Sequence, residues 1–188
     1  MSLLKKEFLE ARSVLDAYLA DDSNFERIEQ AGVIMVKALK AGYKLISCGN
    51  GGSMSDAMHF AEELSGQYRK RRKALAAISI SDPSHLTCAG NDFGFDSIFS
   101  RFIEAVGQDG DVLLAISTSG NSANVINAAV AAKEKGMKVI GLTGKEGGRL
   151  GPLCDVELRA PSTAWSDRTQ EMHIKIIHAL IHYIEQKI

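Results

Sequence analysis

Apolar and polar positions alternate along this chain in two rhythms. Leu4, Phe8, Ala11, Leu15 and Leu19 recur at spacings of three and four, which predicts a helix over Leu3–Leu19. Asp21-Asp22-Ser23-Asn24 interrupts it and supplies caps for a second helix, Phe25–Lys40, closed by Gly42. Beyond that point short apolar runs take over, at Tyr43–Cys48, Leu75–Ile80, Val112–Ser117, Lys138–Thr143 and Asp155–Arg159. Each has the length of a strand and is bounded by turn residues. Helical periodicity returns between them. It runs from Ser53 through Ala57, Met58, Ala61 and Leu64, and from near His85 behind the capping stretch Ser81-Asp82-Pro83-Ser84. After a turn at Gly90–Gly94 it resumes through Ile98, Phe102 and Val106, and again over Ala123–Lys135 up to Gly136. Gly144–Gly151 is a glycine-rich connection, and Trp165–Lys187 reads as one long helix with Met172, Ile176, Ile177, Leu180, Ile181 and Ile184 on its apolar side.

Unbroken apolar strands alternating with helices imply a parallel sheet covered on both faces. The expected architecture is an α/β, three-layer αβα sandwich with a five-stranded parallel sheet. It is Rossmann-like, of flavodoxin type, with an N-terminal helical pair in front. Neither an internal repeat nor a low-complexity linker divides residues 1–188, which read as one domain. A net charge of −1 provides no field favouring nucleic acid or an anionic membrane, so neither is expected as a partner. Cys48, Cys88 and Cys154 are odd in number and lack C-x-x-C spacing, as expected of reduced thiols. MSLLKKEFLEARS carries acids and no apolar block of the signal-peptide kind, so the expected location is cytoplasmic.

Candidate chemistry sits in two turns that follow strands and open helices. In the first, Gly49-Asn50-Gly51-Gly52 leads into Ser53. It matches neither G-x-G-x-x-G nor G-x-x-x-x-G-K-[ST], yet a glycine-rich turn before a helix N-terminus is suited to an anion. His59 and Glu63 follow at i, i+4 and share a helical face, an arrangement also common in plain surface pairs. In the second turn Ser117, Thr118, Ser119 and Ser122 place four hydroxyls around Gly120. A cap needs one hydroxyl. Four, with free N–H groups, match the oxygens of a phosphate monoester without a lysine or a metal. Both turns follow strands of a parallel sheet, so both belong at its carboxyl edge, where ligands collect. On the last helix Gln170 and His178 can line one side, with His173 and His182 as alternatives that spacing alone does not eliminate. The run Gln67-Tyr68-Arg69-Lys70-Arg71-Arg72-Lys73 reads as a solvated basic loop, or as cations facing a phosphorylated ligand.

CGNGGS, DAMHFAEEL, GNDFGF, GDVLLAISTSGNSANV, LTGKEGG and DRTQEMHIKIIHALI together resemble the bacterial phosphoheptose isomerases, a group of sugar isomerase domain proteins, over nearly the whole chain. The resemblance implies conversion of sedoheptulose 7-phosphate to D-glycero-D-manno-heptose 7-phosphate, the first step of ADP/GDP-heptose and lipopolysaccharide core synthesis. It also implies a homotetramer with active sites between subunits. Carried onto this sequence, the phosphate ligands match Ser53, Ser117, Thr118, Ser119 and Ser122, and the substrate-facing residues match Asn50, with Gly51 and Gly52 in its turn, Asp92, Asp167 and Gln170. The catalytic pair matches Glu63 and His178. In zinc-containing members the metal ligands match His59, Glu63, Gln170 and His178, so one Zn²⁺ per subunit is expected. Aldose–ketose isomerisation through an enediolate needs a base, an acid and positive charge near the oxyanion, three places that Glu63, His178 and zinc could take.

Two departures stand out. Gln67 occupies a position where many relatives carry Arg, for which Arg69, Arg71 or Arg72 are the substitutes at hand, and Met54-Ser55 replaces His-Cys. Three other functions compete. A non-catalytic relative associates with the replication initiator but lacks the acid and imidazole that Glu63 and His178 supply. An isomerase of a hexulose 6-phosphate is the second. Sugar-phosphate-sensing regulators are the third, and they add a helix-turn-helix domain for which 188 residues leave no room.

Overall fold

A computed structural model describes all of residues 1–188. Seven helices and five strands follow one another as α1 (Leu3–Leu19), α2 (Ser23–Lys40), β1 (Leu45–Gly49), α3 (Gly52–Ser65), β2 (Ala77–Ser79), α4 (Pro83–Phe93), α5 (Ile98–Val106), β3 (Val112–Ser117), α6 (Ala123–Glu134), β4 (Lys138–Thr143), β5 (Val156–Arg159) and α7 (Ser166–Lys187). All strand pairs are parallel, in the order β2-β1-β3-β4-β5. That is the flavodoxin-type doubly wound order expected from the alternation of strands and helices.

The central strands are buried on both sides, and their side chains divide by parity. Val112, Leu114 and Ile116 of β3 join Leu45, Ile140, Leu142 and Leu158 in a core covered by α2, α3 and α7. Leu113 and Ala115 join Ile46, Cys48 and Val139 in a second core under α4, α5 and α6. This explains why the strands read as continuous apolar runs rather than alternating ones. α1 enters the first core through Tyr18 near its end and is pinned to α7 by Arg168, whose nearly buried guanidinium donates to Glu7 and Glu171 at 2.6 Å each.

Several boundaries shift. β1 begins at Leu45, and β2 keeps three residues of the six-residue run, as befits an edge strand paired on one side. The expected turn at Gly90–Gly94 does not form. Asp82 caps α4 by accepting from the His85 N–H at 2.8 Å, Pro83 opens it, and the helix runs through Gly90 to Phe93. It stops only at Gly94, whose φ of 86° an L side chain rarely adopts. No helix is long and apolar enough to cross a membrane.

Candidate active site

β1 and β3 are sheet neighbours whose following helices lie on opposite faces. Their carboxyl ends form the switch point of a doubly wound sheet, the crevice where ligands bind in such folds. Both hydroxyl-bearing turns end up there. They are joined by a reciprocal amide pair, in which Asn50 Nδ2 donates to Asn124 Oδ1 at 2.9 Å and Asn124 Nδ2 donates to Asn50 Oδ1 at 2.8 Å.

In the first turn Gly51 takes φ 54° and α3 opens at Gly52, one residue before the expected Ser53. The Ser53, Met54 and Ser55 N–H groups donate back to Asn50 and Gly51 carbonyls, so the Gly52 N–H is the helix-terminal donor left free. A Cβ at Gly52 would lie 2.6 Å from both amide heteroatoms of Gln170, so a side chain there would push the Gln170 amide away from the turn.

The second turn is tighter. Ser117 and Ser122 hydroxyls share a 3.0 Å hydrogen bond, and Ser122 makes no side-chain cap to α6 although it occupies the N-cap position. Its oxygen is thereby kept beside that of Ser117 rather than on the helix end. Ser119 Oγ accepts from Asn121 N–H at 3.1 Å. The Ala123 and Asn124 N–H groups have no partner within the chain and stand at a helix N-terminus beside these hydroxyls, a setting for a dianion. The glycine-rich segment after β4 backs the turn so closely that a Cβ on Gly120 (φ 65°) would meet the Gly147 carbonyl oxygen.

α3 and α7 pack side by side and run in the same direction, Gln170 meeting Gly52 and His178 meeting His59. The two imidazole Nε2 atoms face each other at 3.0 Å, and Glu63 Oε1 lies 3.6 Å from His59 Nε2. On the far side of His59, Nδ1 lies 3.2 Å from Glu62 Oε1. The Glu62 carboxylate favours a proton on His59 Nδ1, and Nε2 is the ring atom that faces His178 and Glu63. Burial, then the neighbouring charge of His59, then those of Arg69 and Lys175, hold His178 below the usual imidazole range, with Glu63 acting against them. The neutral ring is favoured.

The three histidines of α7 thus separate. His178 meets His59. His173 is fully buried and bonds the Thr143 carbonyl through Nε2 at 2.9 Å, while Nδ1 of His182 is buried without a partner. Asp167 and Asp92 are exposed. The former accepts from the Arg168 N–H, the latter from Asn91, and neither meets the imidazole cluster within this chain.

The basic run is mostly exposed, as expected of a solvated loop, with Tyr68 and Arg72 the exceptions. Arg72 is partly buried against the end of α3, donating to the Glu63 and Leu64 carbonyls at 2.7 and 2.8 Å, with Glu185 at 3.4 Å. It caps the helix that carries Glu63 and is therefore committed. Arg69 instead stacks 5.2 Å over Tyr68, whose ring lies 5.8 Å from that of His178.

Glu62, Tyr68 and Asn124 were not assigned roles from sequence. Glu62 was detectable at i+3 from His59, and Asn124 as an amide in the first turn of an otherwise apolar helix. Tyr68 gave no signal. Asp56 is also new. Burial pushes its carboxyl up to about 6, with His59 acting against this, and its Oδ2 is buried without a partner.

Residues 8–144 match the SIS domain family. A phosphoheptose isomerase of Escherichia fergusonii is 58% identical over 185 residues, covering 98% of this chain and 96% of the relative. The chain belongs to the phosphoheptose isomerases. Solved structures of family members agree throughout. The Neisseria gonorrhoeae enzyme superposes with a TM-score of 0.90 at 42% identity over 97% of both chains. The enzyme from Francisella tularensis gives 0.89 at 36% identity, over 99% of this chain and 100% of the other.

Proposed function

We propose that this enzyme interconverts sedoheptulose 7-phosphate and D-glycero-D-manno-heptose 7-phosphate through an enediolate, within one sugar isomerase domain spanning residues 1–188. The observation that carries the reading is the convergence of Glu63 and His178 on His59, on helices whose N-terminal ends flank the hydroxyl-rich crevice. In this reading the phosphate dianion rests on Ser53, Ser117, Thr118, Ser119, Ser122 and the free N–H groups. Glu63 removes a proton from C1 and returns it to C2, and neutral His178 passes a proton between the C1 and C2 oxygens. Mass-resolved turnover should favour the seven-carbon ketose phosphate. Preference for a hexulose 6-phosphate would instead make the protein an isomerase of shorter sugars.

The hydroxyls bind a group that does not react, so their loss acts on ground and transition states alike. Ser119→Ala and Ser122→Ala should raise KM more than they lower kcat. Since Ser122 caps nothing, its loss should leave the melting temperature near that of the parent. Unchanged affinity in the double variant would contradict the assignment.

Two imidazoles, a carboxylate and an amide oxygen make a mixed N/O set of the kind zinc accepts. Ligand atoms on a tetrahedral ion stand about 3.3 Å apart, close to the 3.0 Å from His59 Nε2 to His178 Nε2 and the 3.6 Å from His59 Nε2 to Glu63 Oε1. The ligand atoms of His59, Glu62 and Glu63 lie within 4.8 Å of one another, with Glu62 better placed to orient His59 than to ligate. Gln170, the fourth ligand of the resemblance, lies over Gly52. Zinc, when bound, supplies Lewis-acid polarisation of the carbonyl oxygen. Protein purified without chelators should contain zinc by elemental analysis and lose activity on chelation. Full activity in metal-free protein would remove the ion from the mechanism.

A homotetramer with sites between subunits is supported by apolar side chains with no cover in one chain. Phe8 of α1 is 80% exposed, and Phe95 and Trp165, near the carboxyl edge, are 63% and 73% exposed. Light scattering at micromolar concentration should give four times the chain mass, and a monomer mass would end the proposal. Free, largely buried thiols at Cys48 and Cys154, both pushed up to about 12 chiefly by burial, suit a reducing cytoplasm.

A further inference from the structure

Asn124 lies in the first turn of α6, 1% exposed, among alanines and valine that form the second core. A buried amide there is costly unless every polar atom is used. Its Oδ1 accepts from the Val125 N–H at 3.0 Å and from Asn50 Nδ2 at 2.9 Å, and its Nδ2 donates to Asn50 Oδ1 at 2.8 Å. The Val125 N–H can only donate, so the atom facing it must be the oxygen. That settles which way the Asn124 amide points, and through the reciprocal pair it settles the orientation of Asn50 as well. Asn50 then has one N–H and one oxygen lone pair engaged, leaving its second N–H and second lone pair for another partner.

Asn50 belongs to the turn after β1 and Asn124 to the helix after β3, 74 positions away. Their amide pair links the two anion-binding turns directly across the crevice. The Val125 N–H also donates to the Ser122 carbonyl at 3.1 Å, so the Ala123 and Asn124 N–H groups are the donors left free at the helix end.

We propose that the Asn124 side chain is a positioning group for the sugar phosphate: it orients the Asn50 amide and sets the spacing between the two turns without itself touching substrate. The inference rests on the isomerase reading above. Asn124→Asp isolates it. The carboxylate keeps the size and can still accept from Val125 and Asn50, but it cannot donate to Asn50 Oδ1, so the reciprocal pair is broken. Asn124→Ser, uncharged and smaller, breaks the pair by a second route and separates its loss from the effect of a new negative charge.

Steady-state kinetics with sedoheptulose 7-phosphate should show KM raised about tenfold in both variants, with kcat within about threefold of the parent. Stabilisation by inorganic phosphate, read as a shift in melting temperature, should shrink in parallel. The deciding measurement is coupling. In an Asn50→Ala background either substitution at 124 should change KM by less than about twofold, because the residue it positions has gone. Full multiplication of the two losses, parental KM in both single variants, or loss of folding in both would overturn the proposal, the last by assigning Asn124 a purely structural role. An inactive parent protein would instead overturn the isomerase reading while the phosphate-shift comparison still judged this one.

Discussion

Replacing Glu63 by glutamine is expected to lower kcat by on the order of a hundredfold or more, the scale for losing a positioned general base, with the fold intact. Glutamine keeps the size and hydrogen-bonding reach of the side chain but cannot take a proton from carbon. The structural contribution being removed is small. Glu63 lies 3.6 Å from His59 Nε2 as an i, i+4 neighbour, and such pairs are worth only a few tenths of a kcal/mol. Its backbone carbonyl, which Arg72 caps, is untouched by the substitution. The melting temperature should therefore stay near that of the parent. His178→Ala should lose comparable activity, and the double variant should be little worse than either, because base and acid act as a unit. Near-parental turnover by folded Glu63→Gln protein would mean that the proton transfer proposed above is wrong.

Acid should destabilise the protein through His173 before the low-lying carboxylates Asp155 and Glu157 come into play. This ring is fully buried against the Thr143 carbonyl, and burial pushes it down to about 4, the hydrogen bond to Thr143 acting against the shift. An imidazole held below its unfolded value binds protons more readily in the unfolded chain, so protonation favours unfolding. Stability is full above about pH 6.5 and declines as pH falls toward 4, by on the order of 3 kcal/mol when the effect is complete. Asp56, raised to about 6, works in the opposite direction over part of the same range. Asp155 and Glu157, held below the usual carboxylate range, lose their stabilising contributions only at lower pH. The test is comparative: urea midpoints at pH 7, 5.5 and 4.5 for the parent and for His173→Gln, which can still donate to Thr143 but does not titrate. The variant should show the shallower decline. Parallel curves would remove His173 from the acid response.

The layered architecture was legible because periodicity and capping are local. Leu4 to Leu19 at helical spacing, the unbroken run Val112–Ser117 and Gly136 after α6 each report on neighbours within about four residues, a range that sequence alone covers. The same locality accounts for the misplaced turn at Gly90: glycine is a weak helix former, but α4 was packed into the second core through Ala89, and burial outweighed propensity. The two anion turns could be assigned to one sheet edge because parallel strands order their ends alike.

Which side chains meet was a different matter. The partners of Asn50 and His59 lie 74 and 119 positions along the chain. Spacing left His173, His178 and His182 equivalent in kind, since all three sit on one helix. The tertiary structure separated them by packing α7 along α3, so that His178 meets His59 while His173 turns into the sheet. Arg72 likewise read as one more cation in a basic loop until the end of α3 and Glu185 closed around it. Hydrogen bonds and ion pairs act over a few ångströms in space regardless of separation along the chain, so the partners of these residues were decided only when the sheet order brought the helices together.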